Sequence, residues 1–419
     1  MAQAAAIRDR AVSSEELVGA HLRRIEAVNP AINAVVQMNP DAIAEAQRAD
    51  RELASGAPIG PFHGVPFTVK DWLEVAGIAC AGGFEERRNY VPRRDATVVA
   101  RMRAAGGIVL GKTNVQETNP VYGDTRNPRD ATRSPGASSS GEAAAVAAGC
   151  SPLGLGSDSG GSLRYPAHCC GVTALKPTTG RVPVTGHFPR IGASHDPRTV
   201  VGPLSRHVED LWLALAVIAG VDWRDPSVVP VPLAPPPATV AGWRVGWFTE
   251  MPGATPDAAT VAAIGDCVRR LAEAGADVEE VTLPRLADSW PLTQTYWQRV
   301  QSLSLNEWLP DKPSRLSEDE IERSIFEWDR YRRAMLEFIA VYDAIICPVA
   351  SAPAPEHGSM TPASYLYTLP FSLVGWPVVS TRVGTAGDGM PIGAQVVARP
   401  WAEPAAITTA MVLQTALGG

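Results

Sequence analysis

Lysine is the scarce residue of this 419-residue chain: only Lys70, Lys112, Lys176 and Lys312 stand among its 37 basic residues, and the rest are arginine. A lysine inside an apolar strand is therefore not there by frequency and needs a physical reason. Basic charge as a whole is short as well. With 44 acidic residues the net charge is −7, and no run of Lys and Arg stands out. That balance argues against nucleic acid as a direct partner, because phosphate backbones are held by a basic excess. No apolar stretch approaches the roughly 18 residues of a membrane span, and Met1 to Arg10 lacks the apolar centre of a signal peptide, so the expected location is cytoplasmic. The six cysteines include no CxxC pair and are too few for a disulfide scaffold, which makes them expected free thiols in the core. The seven histidines never fall at the i, i+3 or i+4 spacing of a helical metal site. GxSxG is missing, which removes the nucleophile elbow of the α/β hydrolases, and so is GxxxxGK[ST], which removes the nucleotide P-loop. GLGSDSGGS offers glycines at GxGxxxG spacing, a poor dinucleotide loop. No cofactor and no metal is expected.

What is present alternates between helix and strand, and alternation of this kind indicates an α/β fold. Ser13, with Glu16 three residues on, caps an expected helix whose apolar stripe is Leu17, Leu22, Ile25 and Val28. A second helix is expected near Asp41 to Leu53, a buried strand at Gly64 to Lys70, a helix near Ala96 to Ala105, a strand at Ile108 to Leu110 and a short helix after Thr113. From Asn127 to Pro183 the chain is dense in Gly, Ser and Pro around a helical stretch at Gly141 to Ala148. His207 to Ala219 reads as a buried helix. Val229 to Pro237, VPVPLAPPP, is stiff and extended and marks the best segment boundary. Beyond it come WRVGWF and ADVEEVTL flanking a helix near Thr255 to Ala274, then a long helix capped by Ser317 with Glu320 and running toward Tyr342. Strands at Ala344 to Pro348, Val378 to Val383 and Ile392 to Val397 precede a closing helix after Glu403. The length allows two or three domains or one large α/β domain.

Three features carry chemistry: a lysine in an apolar strand (VPFTVKD, Lys70), a serine cluster after a turn (SPGASSSGE), and a glycine-flanked serine (GSDSGGSLRYP, Ser162). Together they resemble the amidase signature family. The resemblance runs from SSEELVGAHLRRIEAVNPAINAV to LPFSLVGWPVVSTRVG and MPIGAQVVARP, and is most specific between Pro135 and Pro177. It implies a single domain over 1–419 built on a large mixed β-sheet with helices on both faces. Residues 60–205 form its signature core, 229–237 a Pro-rich connection, and 238–419 complete the sheet and the substrate pocket. Where the commonest members have glycine the chain has Ala137 and Ser140, and Glu142 stands where serine is frequent. Glu142 and SLRYPAHCCG are closer to the branch containing fatty acid amide hydrolases and to bacterial amidases like them.

Carried over residue by residue, the resemblance makes Ser162 the nucleophile, Ser138 the bridging serine and Lys70 the base. A cis peptide is implied between Ala137 and Ser138. Ser159, Gly160 and Gly161, with Ser162, would supply the N–H groups of an oxyanion hole, and Asp158 and Arg164 would support that loop. The chemistry is coherent: a serine hydroxyl needs a base within hydrogen-bond reach, and lysine is a base only when unprotonated. Bringing a lysine from about 10.4 to about 7 costs on the order of 4–5 kcal/mol, which burial among Val65, Phe67, Val69 and Trp72 can supply.

The implied function is hydrolysis of a carboxylic acid amide to the acid plus ammonia or an amine, acting on linear C–N bonds through an acyl-enzyme on Ser162. Two alternatives stand beside it, the glutaminase subunit of a tRNA-dependent amidotransferase and a non-catalytic binding protein on the same fold. The expected partner is a small-molecule amide, with a homodimer compatible with the sequence. Trp290, Tyr296, Trp297, Trp308, Phe326, Trp328, Tyr365, Tyr367 and Trp376 crowd one region, which suits an apolar or aromatic acyl pocket as well as a core beneath the long helix.

Overall fold

The computed structural model describes residues 2–190, 196–298 and 315–415. Among them eleven strands form one sheet: β1 (Val35–Met38), β2 (Pro66–Lys70), β3 (Ile108–Thr113), β4 (Leu153–Asp158), β5 (Thr173–Lys176), β6 (Val200–Ser205), β7 (Arg244–Trp247), β8 (Asp277–Glu280), β9 (Ala344–Pro348), β10 (Val378–Thr385) and β11 (Pro391–Ala398). Their order across the sheet is β1-β3-β2-β4-β6-β5-β10-β11-β9-β7-β8. Parallel pairing joins β3, β2 and β4 at one end and β9, β7 and β8 at the other. The strands between pair antiparallel, as does the edge strand β1 on β3. The chain halves on either side of the Pro-rich segment meet within this sheet, where β5 pairs with β10.

Alternation along the strands sends successive side chains to opposite faces. In β3, Ile108 and Leu110 enter one core cluster while Val109 enters another. One face packs against helices Thr97–Ala104, Val208–Ile218, Ala258–Glu273 and Glu403–Thr415. The other packs against Ser14–Ile32, Ala42–Ser55, Ser140–Ala147 and Arg164–Cys170 and, toward β9, against Glu318–Ile339 and Leu369–Val374. Strands covered on both faces read as near-continuous apolar runs, which is why β2, β3 and β9 are buried at every position.

The capping boxes at Ser13 with Glu16 and at Ser317 with Glu320 both form, and they start helices where the sequence places them. The buried face of the first is Val18, His21, Ile25 and Ile32, while Leu17, Leu22 and Val28 of the expected stripe flank it half-buried. No helix follows Thr113. Asn114 Oδ1 accepts from the Val115 N–H and Asn119 Oδ1 from the N–H groups of Val121 and Tyr122, so side chains take over the backbone donors a helix would use. Among the described residues no helix is long and apolar enough to cross a membrane. Trp308, Lys312 and His195 lie outside the described residues.

Candidate active site

Strand β2 sets up the site by its pleat. Phe67 and Val69 point into the core on one face, which leaves Thr68 and Lys70 on the face turned toward the segment 138–147. Lys70 is wholly buried, with Nζ 2.7 Å from Ser138 Oγ, 3.0 Å from Ser139 Oγ, 3.0 Å from Ser157 Oγ and 3.4 Å from Ser157 O. The amine also lies 4.1 Å from the centre of the Trp72 ring. Each hydrogen-bond partner is neutral. Burial drives the Lys70 pKa well below the ordinary lysine range, against the pull of the Asp158 and Glu142 carboxylates. Glu142, itself buried, is held by the Thr68 hydroxyl and by Thr113 Oγ1 at 2.7 Å, and burial pushes its pKa up to about 7. A Cβ on Gly154 would stand 2.0 Å from Glu142 Oε1, so this point of β4 requires glycine.

Ser138 lies just ahead of helix Ser140–Ala147. The expected cis bond before it is not found: Phe188–Pro189 is the one cis peptide among the described residues. A trans bond, the form about 3–4 kcal/mol lower outside proline, already delivers Ser138 Oγ to the amine.

Ser162 stands in the turn between β4 and helix Arg164–Cys170. Asp158, the last residue of β4, accepts from the Gly161 N–H at 2.8 Å and the Leu163 N–H at 3.1 Å. Arg164 grips the same carboxylate with Nε and one terminal nitrogen, both at 3.0 Å, and reaches Thr368 O, Gln395 Oε1 and Ser372 Oγ. Burial raises the Asp158 pKa, but Arg164 outweighs it and holds the acid at about 2. The turn is thus tied to β11 and to helix Leu369–Val374 by a sealed ion pair. Gly161 has φ of +134°, and a Cβ there would meet Thr368 Oγ1 at 2.4 Å. Its N–H, named among the oxyanion donors, is spent on Asp158. The N–H groups of Ser159, Gly160 and Ser162 form no hydrogen bond among the described residues.

Ser138, Ser159, Gly160 and Ser162 line one cavity of about 480 Å³. Ser138 and Ser162 are not hydrogen-bonded to each other, as is common before substrate arrives. Trp72, Trp297, Met360 and Tyr365 make the apolar part of the wall, and Gln116, Glu117 and Thr118 the polar part. Glu117 is nearly buried; its Oε1 accepts no hydrogen bond among the described residues and lies 3.8 Å from His357 Nε2. Nothing in TNVQETN marked it. The aromatic crowd divides: Trp297 and Tyr365 reach the cavity, whereas Trp328, Tyr367 and Trp376 fill the core beneath the long helix. Among the described residues no group of His, Cys, Asp and Glu is placed to hold a metal ion.

A family model described as Amidase matches residues 16–407. The chain is 33% identical to an acylamidase of Rhodococcus erythropolis, over 94% of this chain and 90% of that protein. It is 40% identical to an indoleacetamide hydrolase of Bradyrhizobium diazoefficiens, over 68% and 56% respectively. It is 32% identical to a subunit of the glutamyl-tRNA(Gln) amidotransferase of Koribacter versatilis, over 98% and 97%. Among solved structures, 6-aminohexanoate cyclic dimer hydrolase complexed with substrate superposes with a TM-score of 0.87 at 29% identity, covering all of this chain and 96% of that one. With the model spanning nearly the whole sequence and the mixed, helix-covered sheet shared with these enzymes, the chain belongs to the amidase signature family of C–N hydrolases.

Proposed function

We propose that this enzyme hydrolyses small amides with uncharged, apolar or aromatic acyl groups through an ester on Ser162. The observation that carries the reading is a sealed lysine amine 2.7 Å from the Oγ of Ser138, a serine that lines one cavity with Ser162. Ser162 Oγ attacks the amide carbonyl as its proton passes to Ser138 and the Ser138 proton passes to Lys70. The developing oxyanion is met by the N–H groups of Ser159, Gly160 and Ser162. Collapse of the tetrahedral intermediate returns the proton through Ser138 to the leaving nitrogen, and water then releases the acid. Lys70 ends each half-reaction neutral, the state its burial favours.

Trp72, Trp297, Met360 and Tyr365 on the wall support an apolar acyl group, and the name of the indoleacetamide hydrolase relative agrees with that. We place the enzyme in the cytoplasm, alone or as a homodimer, working on free amides; the net charge of −7 supports the absence of an RNA partner. A second reading, glutaminase within an amidotransferase, rests on the amidotransferase relatives. The test is the ratio of kcat/KM for a phenyl or hexanoyl amide to that for glutamine. A ratio above one is expected, and a ratio below one with ammonia released from glutamine would move the assignment to the second reading.

A further inference from the structure

We propose that His187 is a positioning residue which, through Ser157, aims the lone pair of the Lys70 amine at Ser138. The inference rests on Lys70, Ser138 and Ser162 being the working set, and follows from where each proton on the far side of Lys70 has to be. His187 Nδ1 lies 3.0 Å from Pro189 O, and a carbonyl oxygen only accepts, so Nδ1 carries the hydrogen. Burial pushes the His187 pKa down to about 4, with Lys70 lowering it further and the Pro189 carbonyl and Asp196 opposing, so the ring is neutral. Its Nε2 is then an acceptor. Ser157 Oγ, 2.9 Å away, must donate to it.

Having spent its proton on His187, the Ser157 hydroxyl can only accept from Lys70 Nζ at 3.0 Å. Ser139 is in the same position: its hydroxyl donates to Ser157 O at 3.1 Å and accepts from Lys70 at 3.0 Å. The 3.4 Å approach of Nζ to Ser157 O is the longest of the four contacts. A neutral amine has two hydrogens and one lone pair. With both hydrogens directed at Ser157 and Ser139, the lone pair is left for Ser138 Oγ at 2.7 Å. Ser138 therefore donates to Lys70 and keeps its own oxygen free to take the Ser162 proton. The opposite tautomer of His187 would turn the Ser157 proton onto the Lys70 lone pair and reverse the relay.

The ring is held for this task. The His187 N–H donates to Val184 O at 3.0 Å, the Phe188 N–H to Trp72 O at 2.7 Å and the Glu74 N–H to Gly186 O at 2.9 Å. These bonds clamp the loop onto the segment that leaves β2 just after Lys70, and Trp72 packs edge-on against the imidazole at 5.7 Å.

The test is a double-mutant cycle on the full chain, with steady-state kinetics on the best amide and the rate of Ser162 labelling by a fluorophosphonate. His187→Ala is expected to lower kcat and the labelling rate roughly 10- to 100-fold, as when a partner that orients a ligating group is lost, while KM stays within about twofold. His187→Gln, which can present an oxygen acceptor to Ser157, is expected to recover most of the loss. Ser157→Ala removes one buried atom, so it tests the same link even if the histidine variants fold poorly, and is expected to fall as far. The double variant should be no worse than the poorer single one, because both act through one hydrogen bond. Wild-type kcat in His187→Ala, or losses that multiply in the double variant, overturns the proposal. Lys70→Ala run in parallel separates the two failures: if it too stays active, the underlying assignment has failed rather than the role of His187.

Discussion

Lys70 at the end of β2 and Lys112 in the neighbouring β3 are both sealed from solvent, and their environments drive them opposite ways. Lys112 Nζ lies 3.0 Å from Asp71 Oδ1; burial lowers its pKa, but Asp71 outweighs that and the net shift is upward. Lys70 is met by three serine hydroxyls and a carbonyl, with no carboxylate in hydrogen-bond reach, and burial prevails. Lys176 adds a third case: its partners are two carbonyls, Trp376 O at 2.9 Å and Pro177 O at 3.5 Å, and burial with Arg164 nearby takes it down to about 7. The lesson is that burial by itself does not make a lysine a base. What decides is the charge on the first atom it touches, and of these three lysines only Lys70 touches a hydroxyl that lines the cavity.

Exchanging each lysine for methionine breaks the comparison open. Lys70→Met is expected to lower kcat by roughly 10²–10⁴-fold, the usual loss of a general base, and Lys70→Arg to be as inactive because a guanidinium does not deprotonate. The stability of Lys70→Met near pH 7 should hold or rise. The sign follows from linkage: between the lowered native pKa and about 10.4 the unfolded chain binds a proton at Lys70 that the native chain does not, so the lysine costs stability there and the cost fades as pH rises. Lys112→Met should do the reverse, leaving Asp71 buried and unpaired at a cost of about 3–5 kcal/mol while kcat per folded molecule is retained. Denaturant unfolding and active-site titration on the two variants read both halves.

A smaller effect tunes Lys70 without removing it. The Glu142 carboxylate favours the protonated amine, so Glu142→Gln is expected to move the acid limb of the kcat/KM profile to lower pH. The same variant should gain stability with rising pH relative to wild type. A native carboxyl pKa of about 7 against an ordinary 4.5 means stability is lost as pH climbs between them, up to about 3 kcal/mol by the pKa difference. Thermal unfolding at pH 5 and pH 8 should show the gain at pH 8 only.

Family spacing singled out Lys70, Ser138 and Ser162 in the sequence, and most helices were legible because caps and apolar periods are local signals. Strand β4 was not legible. Gly154 and Gly156 put glycine, a poor strand former, at alternate positions of LGLGSD, and they are there because Glu142, Leu163 and Leu204 occupy the space a Cβ would need. The rest of the lysine's setting was equally hidden. Ser157 is 87 residues from Lys70, and His187 a further 30, so only the folded sheet joins them. Gly161 fits the loop as expected, but by conformation and by giving its N–H to Asp158.

The smallest expected effect separates wall from core among the aromatics. Trp297, 41% exposed at the cavity, should on change to Ala raise KM for an aromatic amide several-fold, with stability nearly unchanged. Trp328, whose indole N–H donates to Leu373 O at 2.8 Å, should instead lower the unfolding midpoint and leave KM alone. Equal KM changes in both would mean that the division between wall and core is wrong.

The most direct measurement is peptide mass spectrometry of the enzyme after a fluorophosphonate, with Lys70→Met and Lys112→Met treated alongside. The adduct is expected on Ser162 in wild type and in Lys112→Met, and to form far more slowly in Lys70→Met. An adduct on Ser138 or Ser139 with Ser162 unmodified, or equal labelling of all three proteins, would contradict the relay from Lys70 through Ser138 to Ser162.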